Sequence, residues 1–256
     1  SVVVSNKVLS DVVSLGDYVS MTPTSTGYSI LGQSTGYANK NTGEYITQEI
    51  NPSELNLWRV ISINNDGTID MVSEYASSAS VCFRGQTGYL KFVQTLNTIA
   101  AQYVNTKYTK TTRNIGYNGQ TEYLTGYFTN PAPWTSSTID NSNEKKGGGD
   151  ILYKKDTELV NTVLGTLKVY QVGTETAASY WLASRYYYYM EPSYYQWCGV
   201  SVYENEIDPY RMMYDYSGRW WTYTVCSNIR PVVTLRSDIA IKTTIGGGIS
   251  NPWILD

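Results

Sequence analysis

The chain has 256 residues, enough for one large domain or two modest ones, and a formal charge of −3. That balance excludes a broad basic field for nucleic acid or an anionic membrane, and no run of about 18 apolar residues exists to span a bilayer. Histidine is absent, which removes the commonest general base, every Ser-His or Cys-His dyad and the usual mixed zinc sites, and lowers the expectation of an enzyme.

The start, Ser1-Val2-Val3-Val4, lacks the basic and long apolar regions of a signal peptide, and the missing initiator methionine reads as a processed or trimmed chain. Residues 1–75 read as short strands and loops. Val2 to Val4 and Val12 to Leu15 are apolar stretches without helical period, and 22–26 and 32–43 are polar loops. A hairpin is expected next: Leu57-Trp58-Arg59-Val60-Ile61-Ser62-Ile63 alternates as a strand, Asn65-Asp66-Gly67 turns, and Thr68-Ile69-Asp70-Met71-Val72 returns. Over 88–105 the period changes, and Leu90, Val93, Leu96, Ile99, Ala100 and Tyr103 predict an amphipathic helix. A second helix is predicted over 156–164, stopped by Gly165. Between the two lies a polar excursion with Asn130-Pro131-Ala132-Pro133-Trp134 and Gly147-Gly148-Gly149; the glycine run has no phosphate-loop pattern. Strands are then predicted at 180–184, 199–203, 211–216 and 229–235, with a loop or terminal strand after Ile241. The fold class expected is α+β.

Aromatic usage is the strongest functional signal. There are 25 tyrosines against 3 phenylalanines, and tyrosine is the ring that tolerates water when free and makes contacts when bound. Twelve tyrosines fall within 180–230, where uniform placement would put about five, together with Trp181, Trp197, Trp220 and Trp221. Adjacent side chains of a run such as Tyr186-Tyr187-Tyr188-Tyr189 diverge, so some must face solvent. The alternative, rings tiling a sheet core, is favoured for Trp181 because Leu182 and Ala183 follow it. Arg185, Arg211 and Arg219 add a second residue type common at binding hot spots. The candidate ligand-binding residues are Tyr186, Tyr187, Tyr188, Tyr189, Tyr194, Tyr195, Trp197, Tyr203, Arg211, Tyr214, Tyr216, Trp220, Trp221 and Tyr223. No catalytic residue, metal ligand or cofactor is assigned. Glu204, Glu206 and Asp208 could bind a cation or act as an acid/base pair, but a solvated loop or edge accounts for them more simply. The three cysteines, Cys82, Cys198 and Cys226, form no CxxC pair; a Cys198–Cys226 bridge and two unpaired thiols stand as alternatives.

The segment Tyr180-Trp181-Leu182-Ala183-Ser184-Arg185, followed by a diverse stretch and by Ile229-Arg230-Pro231-Val232-Val233-Thr234-Leu235, resembles the C-terminal part of the variable proteins of diversity-generating retroelements. Those proteins end in a comparable Gly-Val-Arg-Pro-Val-Val strand, where this chain has Asn228-Ile229 for Gly-Val. Leu15-Gly16-Asp17-Tyr18-Val19, Trp58-Arg59-Val60 and Gly116-Tyr117-Asn118-Gly119-Gln120-Thr121 resemble bacterial surface proteins that carry the same domain. The resemblance implies a C-type-lectin-like fold of short twisted antiparallel strands with two helices. It implies one domain over 1–256 with a variable ligand-binding region over 180–230. Adenine-directed mutagenesis would generate Tyr, Ser, Asp, Asn and Cys there, so Cys198 or Cys226 could be a sampled residue. An extracellular setting, on a bacterial cell surface or phage virion, and a protein or glycan ligand are implied. The lectin sugar motifs Glu-Pro-Asn and Trp-Asn-Asp are absent, and Glu191-Pro192-Ser193 only partly echoes the first. Two other readings remain: a carbohydrate-binding module stacking sugars on its rings, and a glycan hydrolase using two carboxylates.

Overall fold

The computed structural model describes residues 7–26, 43–116, 179–191, 194–203, 206–217, 219–242 and 245–256. The helix predicted over 156–164, the polar excursion with its proline and glycine signals, residues 2–4 and nearly all of 32–43 lie outside the described residues. What is described is α+β, mostly strand with one main helix. In chain order the strands are β1 (Tyr18–Ser20), β2 (Glu44–Ile46), β3 (Leu57–Ile63), β4 (Ile69–Ser73), β5 (Ser80–Arg84), β6 (Thr109–Asn114), β7 (Tyr180–Glu191), β8 (Tyr194–Tyr203), β9 (Glu206–Ser217), β10 (Trp220–Thr222), β11 (Thr224–Asn228), β12 (Pro231–Leu235) and β13 (Trp253–Ile254); the helix is α1 (Gly85–Ala100). No described helix is long and apolar enough to cross a membrane.

The strands form two sheets. One has the order β13-β1-β3-β4-β12-β6, the other β10-β9-β8-β7-β11-β5-β2. The expected hairpin is the β3–β4 pair. Gly67 sits at φ 78° in its turn, a conformation that costs glycine little. Asp66 closes that turn by accepting from the Thr68 backbone N–H at 3.1 Å and the Thr68 hydroxyl at 2.5 Å. Trp58 and Val60 on β3 and Met71 on β4 are fully buried, and the Trp58 indole N–H donates to the Met21 carbonyl at 2.7 Å.

Helix α1 begins at Gly85, three residues before the periodic pattern starts, and its last expected residue, Tyr103, closes a short 3-10 turn instead. Tyr89, Leu90, Phe92, Val93, Leu96 and Ile99 form its buried stripe. Phe92 meets Phe83 of β5 at 4.6 Å between ring centroids and Trp181 of β7 edge-on at 5.0 Å. Gly199 of β8 lies where an added Cβ would come within 2.8 Å of Phe92 and Met213 side chains, so the close approach of α1 to this sheet needs a residue without a side chain there.

A second apolar cluster lies between the sheets. Val72, Val232 and Ile61 from the first meet Tyr180, Leu182, Cys198, Val200 and Val202 from the second. Arg230, wholly buried, pins the junction where the chain passes from β11 to β12. Its guanidinium donates to the carbonyls of Ser73 at 3.0 Å and Glu74 at 3.1 Å and to the Tyr180 hydroxyl at 3.4 Å. Burying a guanidinium is costly unless its donors are matched, and carbonyl acceptors at a sheet boundary supply that match.

The cysteine expectation is corrected. Cys226 is the register partner of Cys82 across β11 and β5, and those two are bonded with their Cα atoms 4.1 Å apart. Cys198 on β8 is separated from β11 by β7, so a Cys198–Cys226 bridge has no geometry; Cys198 is a free, buried thiol. A sampled role for Cys226 is hard to reconcile with a bridge to a cysteine well outside the variable region.

Candidate functional site

Strands β7, β8, β9 and β10 form a continuous antiparallel meander. Each sequence-predicted strand here is longer than expected, and the four-tyrosine run is strand rather than loop. Valine, tyrosine and tryptophan suit a pleated surface, and two-residue connections are enough to reverse direction.

The meander is closed by the segment that follows it. β10 pairs with β9, and the Tyr223 N–H continues that pairing to the Met213 carbonyl at 2.9 Å. Immediately after, β11 pairs with β5 and meets β7 at Asn228 opposite Tyr180. The residues from Trp220 to Asn228 therefore touch both sides of the meander, at β9 and at β7. Arg211 ties β9 to the same segment through a donor bond to the Cys226 carbonyl at 3.0 Å. Arg185 does the equivalent on β7, donating to the Tyr89 and Leu90 carbonyls of α1 at 3.1 and 3.0 Å. Both arginines stand over aromatic rings, Arg185 over Tyr89 and Arg211 over Trp181. They act as braces, and Arg219, exposed in the β9–β10 turn, is the remaining candidate of that type.

Register sorts the aromatic residues into rows across the strands. Tyr189, Tyr195, Tyr216 and Trp220 make one row, Tyr187, Trp197, Tyr214 and Thr222 the next, and Tyr188, Gln196, Asp215 and Trp221 a third. The side chains of Tyr186, Tyr187, Tyr188, Tyr189, Tyr194, Tyr195, Tyr216 and Trp220 lie outside the described residues, and only their backbone places are given. Glu204 and the side chain of Glu206 lie outside as well; among the described residues no group of acids and cysteines could hold a metal ion.

Two expected ligand contacts are core instead. Trp197 is 2% exposed and Tyr214 7%. Their rings stack at 4.8 Å and 21°, and Tyr89 of α1 stacks on Trp197 at 5.8 Å. Ring density in sequence does not reveal this, because the register rows alternate between the two faces of the sheet. Trp221 and Tyr223, by contrast, are 50% and 37% exposed on the closing segment. Tyr203 is also exposed, but it lies at the β8–β9 turn, seven residues along β8 from Gln196 and so roughly 20 Å from the Trp221 row. It belongs to the opposite end of the meander.

Comparison with family models, curated proteins and solved structures returned no match.

Sequence reasoning passed over Asp215, which is 8% exposed and stands opposite Trp221. Burial raises its carboxyl above the ordinary range, with a Gln196 hydrogen bond pulling the other way. Its Oδ1, shielded from solvent, has no hydrogen-bond partner. The clue was its place between Tyr214 and Tyr216, one short turn before Trp221. Cys198 is unreactive by the same logic: burial, then the charges of Asp208 and Asp215, push its thiol far up.

Proposed function

We propose that the chain is a hypervariable ligand-binding domain with a C-type-lectin-like fold, similar to the variable proteins of diversity-generating retroelements, acting in adhesion or receptor recognition on a bacterial cell surface or phage virion without a cofactor. The observation that carries this reading is the meander's division of labour. The motif residues Trp181, Arg185 and Arg230 are buried and bonded to backbone carbonyls, while Trp221 and Tyr223 stand exposed on a segment anchored at both sides. A scaffold fixed through backbone contacts tolerates exchange of its exposed side chains, which a diversified receptor requires. Affinity would come from burying rings that lose little side-chain freedom, as in antibody paratopes.

The test is selection of binders from displayed protein and glycan libraries, repeated with Trp221→Ser plus Tyr223→Ser. Protein binders of the unaltered chain should lose binding by tenfold or more, since an aromatic hot spot typically contributes about 2 kcal/mol or more. Capture of glycans alone would favour the carbohydrate-binding module. Binders indifferent to both substitutions would remove the closing segment from the site. Sequencing the surrounding locus should reveal an adenine-rich template repeat and a reverse transcriptase.

A further inference from the structure

Resting on that reading of the meander as a ligand surface, we propose that Asp215 and Trp221 form a cation-reading pair that receives a lysine ammonium or arginine guanidinium from a protein partner. The two are direct register partners on β9 and β10, which brings their Cβ atoms to about 5 Å. One presents a half-exposed indole, the best ring for holding a cation against its face. The other presents a carboxylate more than nine-tenths buried whose Oδ1 has no hydrogen-bond partner. Gln196, next in the row, hydrogen-bonds the same side chain and orients it. Buried acceptors without a donor are rare and expensive in folded proteins, and this one stands beside an exposed ring.

The charge pattern selects the sign of the ligand. Asp208 and Asp215 both act electrostatically on Cys198, which lies between them on β8. Arg211, the described guanidinium on β9, is committed to the Cys226 carbonyl. A carboxylate paired with an indole rejects phosphate and carboxylate ligands and rewards a cation twice, through a charge-assisted hydrogen bond and through the ring. Arg219, exposed in the adjoining turn, works against the same ligand by like charge. Oδ1 is covered in the free protein, so entry requires the side chains around it to rearrange, and Trp221, exposed on a three-residue edge strand, is free to do so.

The experiment uses the whole chain and small probes: N-acetyl-arginine amide, N-acetyl-lysine amide and the neutral isostere N-acetyl-citrulline amide, each titrated while the Trp221 indole resonance is followed by NMR. The two cationic probes should shift that resonance saturably and bind about tenfold more tightly than the citrulline probe. Asp215→Asn keeps shape and removes charge, so it should erase that preference while retaining weak citrulline binding; Arg219→Ala should strengthen the cationic probes. Equal affinity for arginine and citrulline probes, or an unchanged preference in Asp215→Asn, overturns the pair while leaving the aromatic surface intact. No shift from any probe overturns the pair as well, and protein binders selected against the same chain would then show whether the surface reading survives.

Discussion

The β3–β4–β12 base and the β7–β10 meander are both antiparallel, yet they are filled by different chemistry. In the base, Val60, Met71 and Val233 share the main core with a single tryptophan of these strands, Trp58, and Val72 and Val232 fill the cluster between the sheets, all wholly buried. In the meander, rings do both jobs: Trp181, Trp197 and Tyr214 close the core against α1, and Trp221 and Tyr223 meet solvent. Aliphatic packing makes the base intolerant of change at nearly every inward position. Among the described side chains, the meander concentrates its intolerance in a stack and two arginine braces, while Trp221 and Tyr223 carry no such duty. Among the described aromatic side chains there are therefore two populations, one buried and one exposed.

Substitution separates those populations most sharply. Trp58→Ala should cost about 3–5 kcal/mol, since it empties a site at zero exposure and orphans the Met21 carbonyl. Trp197→Ala should fall in the same range, because it breaks the Tyr89–Trp197–Tyr214 stack. Trp221→Ser should stay within about 0.5 kcal/mol. In thermal melts, the first two should fall by roughly 10 °C and the third hardly at all. A mild Trp197→Ala would dissolve the distinction, by showing that the meander's rings carry no core.

The disulfide sharpens the same comparison with a smaller effect. The Cys82–Cys226 bond spans 144 residues and fastens the segment that closes the meander to β5. Constraining so long a loop in the unfolded chain should be worth about 2–5 kcal/mol. Reductant should lower the melting temperature of the unaltered protein and leave Cys82→Ala plus Cys226→Ala unmoved. Cys198→Ala, which removes one buried thiol and no bond, should cost only about 1 kcal/mol and keep the response to reductant. If that variant loses the response, the bridge assignment is wrong.

These effects also show which features could be read from residues alone. The β3–β4 hairpin was legible because alternation and an Asn-Asp-Gly turn are local signals. The helix was legible because five apolar residues, Leu90, Val93, Leu96, Ile99 and Ala100, keep its period; its start was missed because Gly85, Gln86 and Thr87 carry none. The short strands β1, β2, β5, β6, β10 and β11 went unseen, since three to six residues contain too little pattern, and the tail that holds β13 stood open between loop and strand. The Cys82–Cys226 pair was out of reach because register between segments 144 residues apart is set by tertiary packing. At the candidate site, the described side chains Trp221 and Tyr223 are exposed as the ring density suggested, and the tyrosine run lies outside the described side chains. Trp197 and Tyr214 were misassigned because the face a ring occupies depends on bulges, and β7–β8 and β8–β9 each contain two register shifts. Asp215 was overlooked because its significance lies in Trp221 across the hairpin.

The smallest expected effect belongs to the base and concerns a single turn. Asp66 is held down to about 2, below its ordinary 3.8, chiefly by the Thr68 hydroxyl, then by the Thr68 backbone N–H, with Lys110 Nζ at 3.3 Å adding a little. Because the folded value lies below the unfolded one, the unfolded chain takes up the proton first on acidification. The contribution of Asp66 to stability is therefore complete above about pH 4 and is lost as pH falls toward 2. Asp66 and Lys110 are both more than half exposed, so the ion pair is screened by salt and the effect is small. Urea midpoints for the unaltered protein and Asp66→Asn, taken at pH 6 and pH 2.5, isolate it, since asparagine keeps an acceptor but does not titrate. The advantage of aspartate should be visible at pH 6, shrink at pH 2.5, and shrink equally in high salt and low salt if Thr68 dominates. A gap that ignores pH would mean that the carboxylate does not order the turn; one that salt alone abolishes would transfer the role from Thr68 to Lys110.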